Sequence, residues 1–170
     1  MAGRTVLQIG DPRLRRRSAE LPAADFGGPA LQELIGDLRD TMAACDGAGL
    51  AAPQIGVPLR VVIFGITHNP RYPEAPPIPE TILINPQLTP LGDETDIGWE
   101  GCLSVPGLRA PVRRLRRLRY RAFDPQGNLL EREVEGFHAR VVLHECDHLD
   151  GVLFPDRQED SPEPADPPSG

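Results

Sequence analysis

Residues His144-Glu145-Cys146-Asp147-His148 place two histidines four positions apart, with a glutamate directly after the first. On a helix such a pair shares one face about one turn apart, so both imidazoles can reach a single metal ion. Glu145 stands beside that stripe, where a carboxylate can touch an attacking water without ligating the metal. The chemistry this implies is metal-assisted hydrolysis. The competing reading is a helix that merely carries two histidines. It loses ground if the helix is buried, because buried polar groups need partners.

A catalytic site of this type needs a third protein ligand and an open position. The longer pattern H-E-x-x-H-x-x-G-x-x-H is followed as far as Gly151, but Phe154 occupies the place of its third histidine. A downstream glutamate would have to be Glu159 or Glu163, in an acidic, proline-rich terminus. His138 precedes His144 by six positions and so faces away from the stripe, while His68 sits among prolines; both are expected to face solvent. Cys102 remains, within Glu100-Gly101-Cys102-Leu103-Ser104-Val105-Pro106-Gly107. A cysteine flanked by glycine and followed by an extended run can present a thiolate while the next backbone N–H points into the site. Its alternative is a small core residue, the reading given also to Cys45 and Cys146.

The elements that must hold these groups follow from periodicity. Over residues 136–149, Phe137, Val141, His144 and His148 form one stripe and Val142, Cys146 and Leu149 line the opposite side. That helix is apolar nearly all round and should be buried centrally. Residues 29–45 read as an amphipathic helix, and Asp11-Pro12 opens a short helical turn. A buried strand is expected over 60–66, a short strand over 81–85, and a hairpin over 115–123 and 129–135 with one wet face. Small residues make 47–56 a loop, and prolines make 69–79 a surface loop. The expected fold is α+β: mostly antiparallel β-sheets packed around the buried helix, plus the N-terminal amphipathic helix. Residues 1–155 would form one catalytic domain, and 156–170 a disordered acidic tail.

Composition narrows the classes. The 170 residues suit one core, and a net charge of −7 argues against nucleic acid bound along most of the surface, DNA included. Three cysteines make no disulfide framework and fit a reducing compartment. No signal peptide or membrane span is expected, so the reading is a soluble, cytoplasmic protein.

Three separate segments together resemble the peptide deformylases: Gly47-Ala48-Gly49-Leu50-Ala51-Ala52-Pro53-Gln54-Ile55-Gly56, then Glu100 to Pro106, then His144 to Gly151. The opening Val6-Leu7-Gln8-Ile9-Gly10-Asp11-Pro12 is also typical. The resemblance implies hydrolytic removal of the formyl group from formyl-methionine at the start of nascent polypeptides. By position it implies that Cys102, His144 and His148 ligate one divalent metal ion, with Glu145 as acid and base. Ferrous iron is the implied native metal, replaceable by nickel or zinc. Gln54 and the Leu103 N–H are implied to steady the oxyanion, Gly49 and Gly101 to flank the bound peptide, and Arg109 to lie near its carbonyls. Phe137 and Val141 would line the methionine pocket, and Glu100 and Arg114 would form a supporting ion pair. Arg113, Cys146 and the bulky Trp99 are mild departures, and the acidic tail replaces a C-terminal helix found in some forms.

Two rivals stand beside this reading. One is a zinc endopeptidase built on the same helix motif. The other is an RNA-binding module suggested by Arg109, Arg113, Arg114, Arg116, Arg117, Arg119 and Arg121, for which a solvated strand face is the plainer explanation. A combined reading lets this basic strand touch ribosomal RNA while the enzyme meets nascent chains.

Overall fold

A computed structural model describes residues 4–67 and 75–159. Its elements run α1 (Pro29–Ala44), β1 (Gly49–Ala51), β2 (Val61–Ile66), β3 (Ile78–Pro90), β4 (Thr95–Cys102), β5 (Val105–Leu115), β6 (Arg117–Phe123), β7 (Leu129–Glu135) and α2 (Gly136–Leu149). Pairing is antiparallel throughout, in a five-stranded sheet ordered β1-β2-β3-β6-β7 and a separate β4-β5 hairpin. The architecture is a mixed α/β fold with few helices.

The layering follows from β2, which is apolar at nearly every position. A strand sends alternate side chains to opposite faces, so such a run must be covered on both. Val61 and Ile63 pack with Leu31, Leu34, Ile35 and Leu38 of α1, whereas Val62 and Phe64 pack with Val142, Cys146 and Leu149 of α2. Beyond α2 lies the hairpin, whose Cys102, Val105, Ala110 and Val112 form a smaller core with Phe154. Buried residues of α2 include Val141, Val142, His144, Glu145, Cys146, His148 and Leu149. After the helix, Gly151 adopts φ +76°, and a Cβ there would collide with the Arg15 backbone carbonyl. Glycine is required at that crossing.

Several expectations need correction. Residues 47–56 are not a plain loop: they hold β1 and a 3-10 turn, Ala52–Ile55. The short strand expected over 81–85 is the middle of the 13-residue β3. There Asn85 sits at φ +53° beside a register shift, and its side chain exchanges hydrogen bonds with the backbone of Leu21. The β4 strand was not expected at all. Nor does 109–121 make one basic strand, since it is divided between β5 and β6 in different sheets. The start of the expected tail is ordered. Phe154–Arg157 forms a 3-10 turn, and the Glu159 N–H donates to the Pro111 carbonyl at 2.8 Å. Residues 160–170, His68 and most of the proline-rich stretch 69–79 lie outside the described residues. Among the described residues no helix is long and apolar enough to cross a membrane.

Candidate active site

Helix α2 stacks the His144 and His148 rings with centroids 5.1 Å apart, as the four-residue spacing requires. Opposite them the β4-β5 hairpin turns sharply between Cys102 and Val105, which are paired in register, and aims the cysteine at the helix. Its Sγ lies 3.4 Å from His148 Nε2. One ligand atom from each of Cys102, His144 and His148 falls within 4.8 Å of the others, a spacing that could hold a single metal ion.

The surroundings suit that use. Glu100 accepts a hydrogen bond from His144 Nδ1 at 2.9 Å, which fixes the tautomer and leaves Nε2 for a metal. Burial opposes ionisation of Cys102, yet the adjacent His148 and His144 outweigh it and hold the thiol well below its ordinary pKa. The thiolate is the ligating form. Burial likewise works against a charged His144, but Cys102 and Glu100 raise its pKa well above the usual value. A soft thiolate with two imidazoles and an open side fits one divalent ion.

Glu100 is the hub of a buried network. Burial opposes its ionisation, but hydrogen bonds from Arg114 and His144 hold its carboxyl well below the usual range. Arg114 donates to both of its oxygens at 2.9 Å. Arg140 donates to Oε2 at 2.7 Å and also to the carbonyls of Val112 and Asp96, which binds α2 to the hairpin. Gly98 makes room for this, since a Cβ there would lie 2.9 Å from Arg140 Cζ. Arg114 continues to Asp147 at 2.6 Å, and Asp147 to Arg157 at 2.7 Å. The Glu100–Arg114 pair was anticipated; Arg140, Asp147 and Arg157 were not. Their partners lie 10 to 44 residues away, beyond any local pattern.

Glu145 is buried, and its Oε1 has no hydrogen-bond partner among the described residues. Desolvation raises its pKa. Gly49, at the free edge of the sheet, faces it so closely that a Cβ there would stand 2.8 Å from Glu145 Cδ. The Gln54 side chain is held from both ends. Its Oε1 accepts from the Ala51 N–H at 2.9 Å, and its Nε2 donates to Ser104 Oγ at 3.0 Å and to Cys102 Sγ at 3.5 Å. Ser104 was missed, its only sequence clue being its place in the cysteine segment.

One pocket gathers Gly49, Gln54, Glu100, Gly101, Cys102, Leu103, Phe137, Val141, His144 and Glu145, together with Trp99 and Arg140. Arg109 is not among its lining residues. It borders a neighbouring hollow with Cys102, Leu103 and Leu108. His138, expected in solvent, is half-buried with its ring edge-on to Phe64 at 5.7 Å. Two arginines of β6 are matched by cross-strand acids: Arg119 meets Glu133 at 2.9 Å, and Arg121 meets Glu131 at 4.0 Å.

A thiolate and two imidazoles converging beside a buried carboxylate, in an open pocket, define a metal-dependent hydrolase. Comparison with known proteins makes this specific. The sequence model of the polypeptide deformylase family matches residues 4–163. The chain is 58% identical over 155 residues to peptide deformylase 1 of Bordetella pertussis, covering 91% of this chain and 87% of that one. To peptide deformylase 1 of Prochlorococcus marinus it is 59% identical over 162 residues, 95% and 83% of the two chains. The Met-Ala-Ser-bound class I type b peptide deformylase of Acinetobacter baumannii superposes with a TM-score of 0.89 at 36% identity, covering 92% of this chain and 98% of that one. The chain belongs to the polypeptide deformylase family, and its activity is removal of the N-terminal formyl group from nascent polypeptides.

Proposed function

We propose that deformylation takes place in the pocket above α2, with one divalent metal ion held by Cys102, His144 and His148 and the proton carried by Glu145. The observation that carries this division of labour is the placement of three soft and borderline donor atoms within 4.8 Å of one another, beside a buried carboxylate whose Oε1 has no hydrogen-bond partner among the described residues. When bound, such an ion supplies Lewis acidity, making water nucleophilic near neutral pH and polarising the formyl oxygen. Glu145 takes the proton from the attacking water and returns it to the leaving amine; its raised pKa brings acid and base forms closer to working pH. The Gln54 amide, locked by Ala51 and Ser104, and the Leu103 N–H meet the charge that develops on the oxygen.

The peptide lies extended between Gly49 on the free edge of β1 and Gly101 on the hairpin, adding a strand to the sheet. Its methionine side chain packs against Phe137 and Val141. Downstream carbonyls reach Arg109, which fits its place in the adjoining hollow rather than in the pocket itself. Met-Ala-Ser in the Acinetobacter baumannii relative is the peptide that deformylation of formyl-Met-Ala-Ser leaves. Ferrous iron is the native metal in this proposal, with nickel or zinc as substitutes, and the site of action is the cytoplasm. A transient contact with ribosomal RNA through the arginines of 109–121 extends it. Because Arg119 and Arg121 already meet Glu133 and Glu131, that contact is weak and salt-sensitive.

The test is formate release from formyl-Met-Ala-Ser by protein prepared without oxygen, with metal content assayed on the same sample. Formate released in proportion to bound metal, lost on chelation and restored by added ferrous iron, is the expected result. Cleavage of an unformylated peptide at an internal bond, with formyl-Met-Ala-Ser untouched, would replace this reading with that of an endopeptidase.

A further inference from the structure

The opening segment gives no side chain to the pocket. Its place in the fold suggests another use. The two groups proposed to face the oxyanion stand on separate pieces of structure. Gln54 belongs to the 3-10 turn Ala52–Ile55, which follows β1 of the five-stranded sheet, and Leu103 to the turn of the β4-β5 hairpin. No ladder joins the two sheets, so neither sheet fixes the gap between these donors.

Residues 6–9 span that gap. The Leu7 N–H donates to the Gln54 carbonyl at 2.7 Å, and the Ile9 N–H to the Ser104 carbonyl at 2.8 Å. Gln8 Nε2 reaches the Leu103 carbonyl at 3.4 Å. With Gln54 Nε2 on Ser104 Oγ, these bonds close a ring through both donor segments. The segment is anchored at either end, by Val6 against the α1 side of the core and by the fully buried Leu14. Ile9 itself is 43% exposed, so packing does not account for its position. Its backbone N–H does.

We infer that residues 6–9 are a positioning strap that sets Gln54 and the Leu103 N–H at one distance from the reacting oxygen. This rests on the oxyanion assignment proposed above. Single hydrogen bonds contribute modestly to folding. A donor misplaced by about 1 Å, in contrast, can cost on the order of 10²-fold in rate. Loss of the strap therefore shows in turnover before it shows in folding.

A double-mutant cycle in the full-length, metal-loaded enzyme tests this, using Ile9→Pro, which deletes the N–H that donates to the Ser104 carbonyl, and Gln54→Ala. Ile9→Pro should lower kcat on formyl-Met-Ala-Ser by roughly 10- to 10²-fold, with KM and metal stoichiometry unchanged. In the Gln54→Ala background the same change should lower kcat by less than about threefold, because the strap sets one donor against the other and only the Leu103 N–H is then left. Equal losses in both backgrounds, or an unaltered kcat for Ile9→Pro, overturn the strap. An unaltered kcat for Gln54→Ala alone overturns instead the donor assignment beneath it. If Ile9→Pro does not fold, Gln8→Ala enters the same cycle under the same criteria.

Discussion

Gly49→Ala gives the sharpest test of how Glu145 is placed. An added Cβ would lie 2.8 Å from Glu145 Cδ and 2.9 Å from its Cγ. Carbon atoms pack at roughly 3.5 Å or more, so about 0.7 Å of overlap must be relieved. Strand β1 cannot retreat freely, because Gly49 is paired with Phe64 on β2 and the flanking Leu50 and Ala51 are completely buried. Glu145 must move instead, and it is fixed on a helix buried on both sides. Its carboxylate is thereby carried away from the water it is proposed to deprotonate. A displacement approaching 1 Å costs on the order of 10²-fold in kcat, while overpacking costs about 1–3 kcal/mol in stability. The three atoms nearest the new methyl group all belong to Glu145 and none to Cys102, His144 or His148, so metal content should hold. The assay is formate release from formyl-Met-Ala-Ser at saturating substrate, beside metal analysis and a urea titration. A kcat within about twofold of the parent, in a stable and fully metallated variant, would refute the placement of Glu145 against this strand.

Three further outcomes are expected. Glu145→Gln, nearly isosteric, should keep its metal while kcat falls about 10²- to 10⁴-fold, as metal analysis and formate release on one preparation would show. Glu100→Gln leaves Arg114 and Arg140 buried without their carboxylate. It should destabilise the fold by about 3–5 kcal/mol and weaken metal binding roughly 10- to 100-fold, measured by urea unfolding and metal competition. Arg119→Glu combined with Arg121→Glu should leave kcat/KM within about twofold while abolishing salt-sensitive co-sedimentation with ribosomes, since these side chains lie on the exposed face of β6 away from the pocket.

What could be read from the sequence was whatever repeats locally. Helices α1 and α2 and the β6-β7 hairpin announce themselves because apolar residues recur at the helical or strand period, and because Asp124 caps the turn through the N–H groups of Gln126 and Asn128. β4 does not. Thr95–Cys102 holds two glycines and two acidic residues, and its burial deepens steadily along the strand instead of alternating. Its pairing with β5 supplies the order that its composition conceals. β3 was read short for a related reason: the bulge at Asn85 breaks the alternation on which the reading relied. The loop reading of residues 47–56 failed because small residues and Pro53 suit both a loop and a close approach to a buried helix. The pairing of β1 with β2 and the close approach to Glu145 distinguish the two.

The candidate site divides along the same line. His144, Glu145 and His148 share one helical turn, so their chemistry is written in their spacing; Cys102 could be named only because the usual third ligand was missing. What makes these four groups serviceable comes from far away in the chain. Glu100 orients His144 across 44 residues, and Gln54 meets Ser104 across 50. Leu7 and Ile9 then join those two neighbourhoods through backbone N–H groups, which carry no residue-specific mark at all. The histidine pair proposed as ligands is thus a local property of the sequence, whereas the geometry that would turn such groups into a catalyst is a property of how two sheets are held against one helix. That is why substitutions at Gly49 and Ile9, neither of which bears a reactive group, are expected to cost turnover by up to about 10²-fold, the lower end of the loss expected for Glu145→Gln.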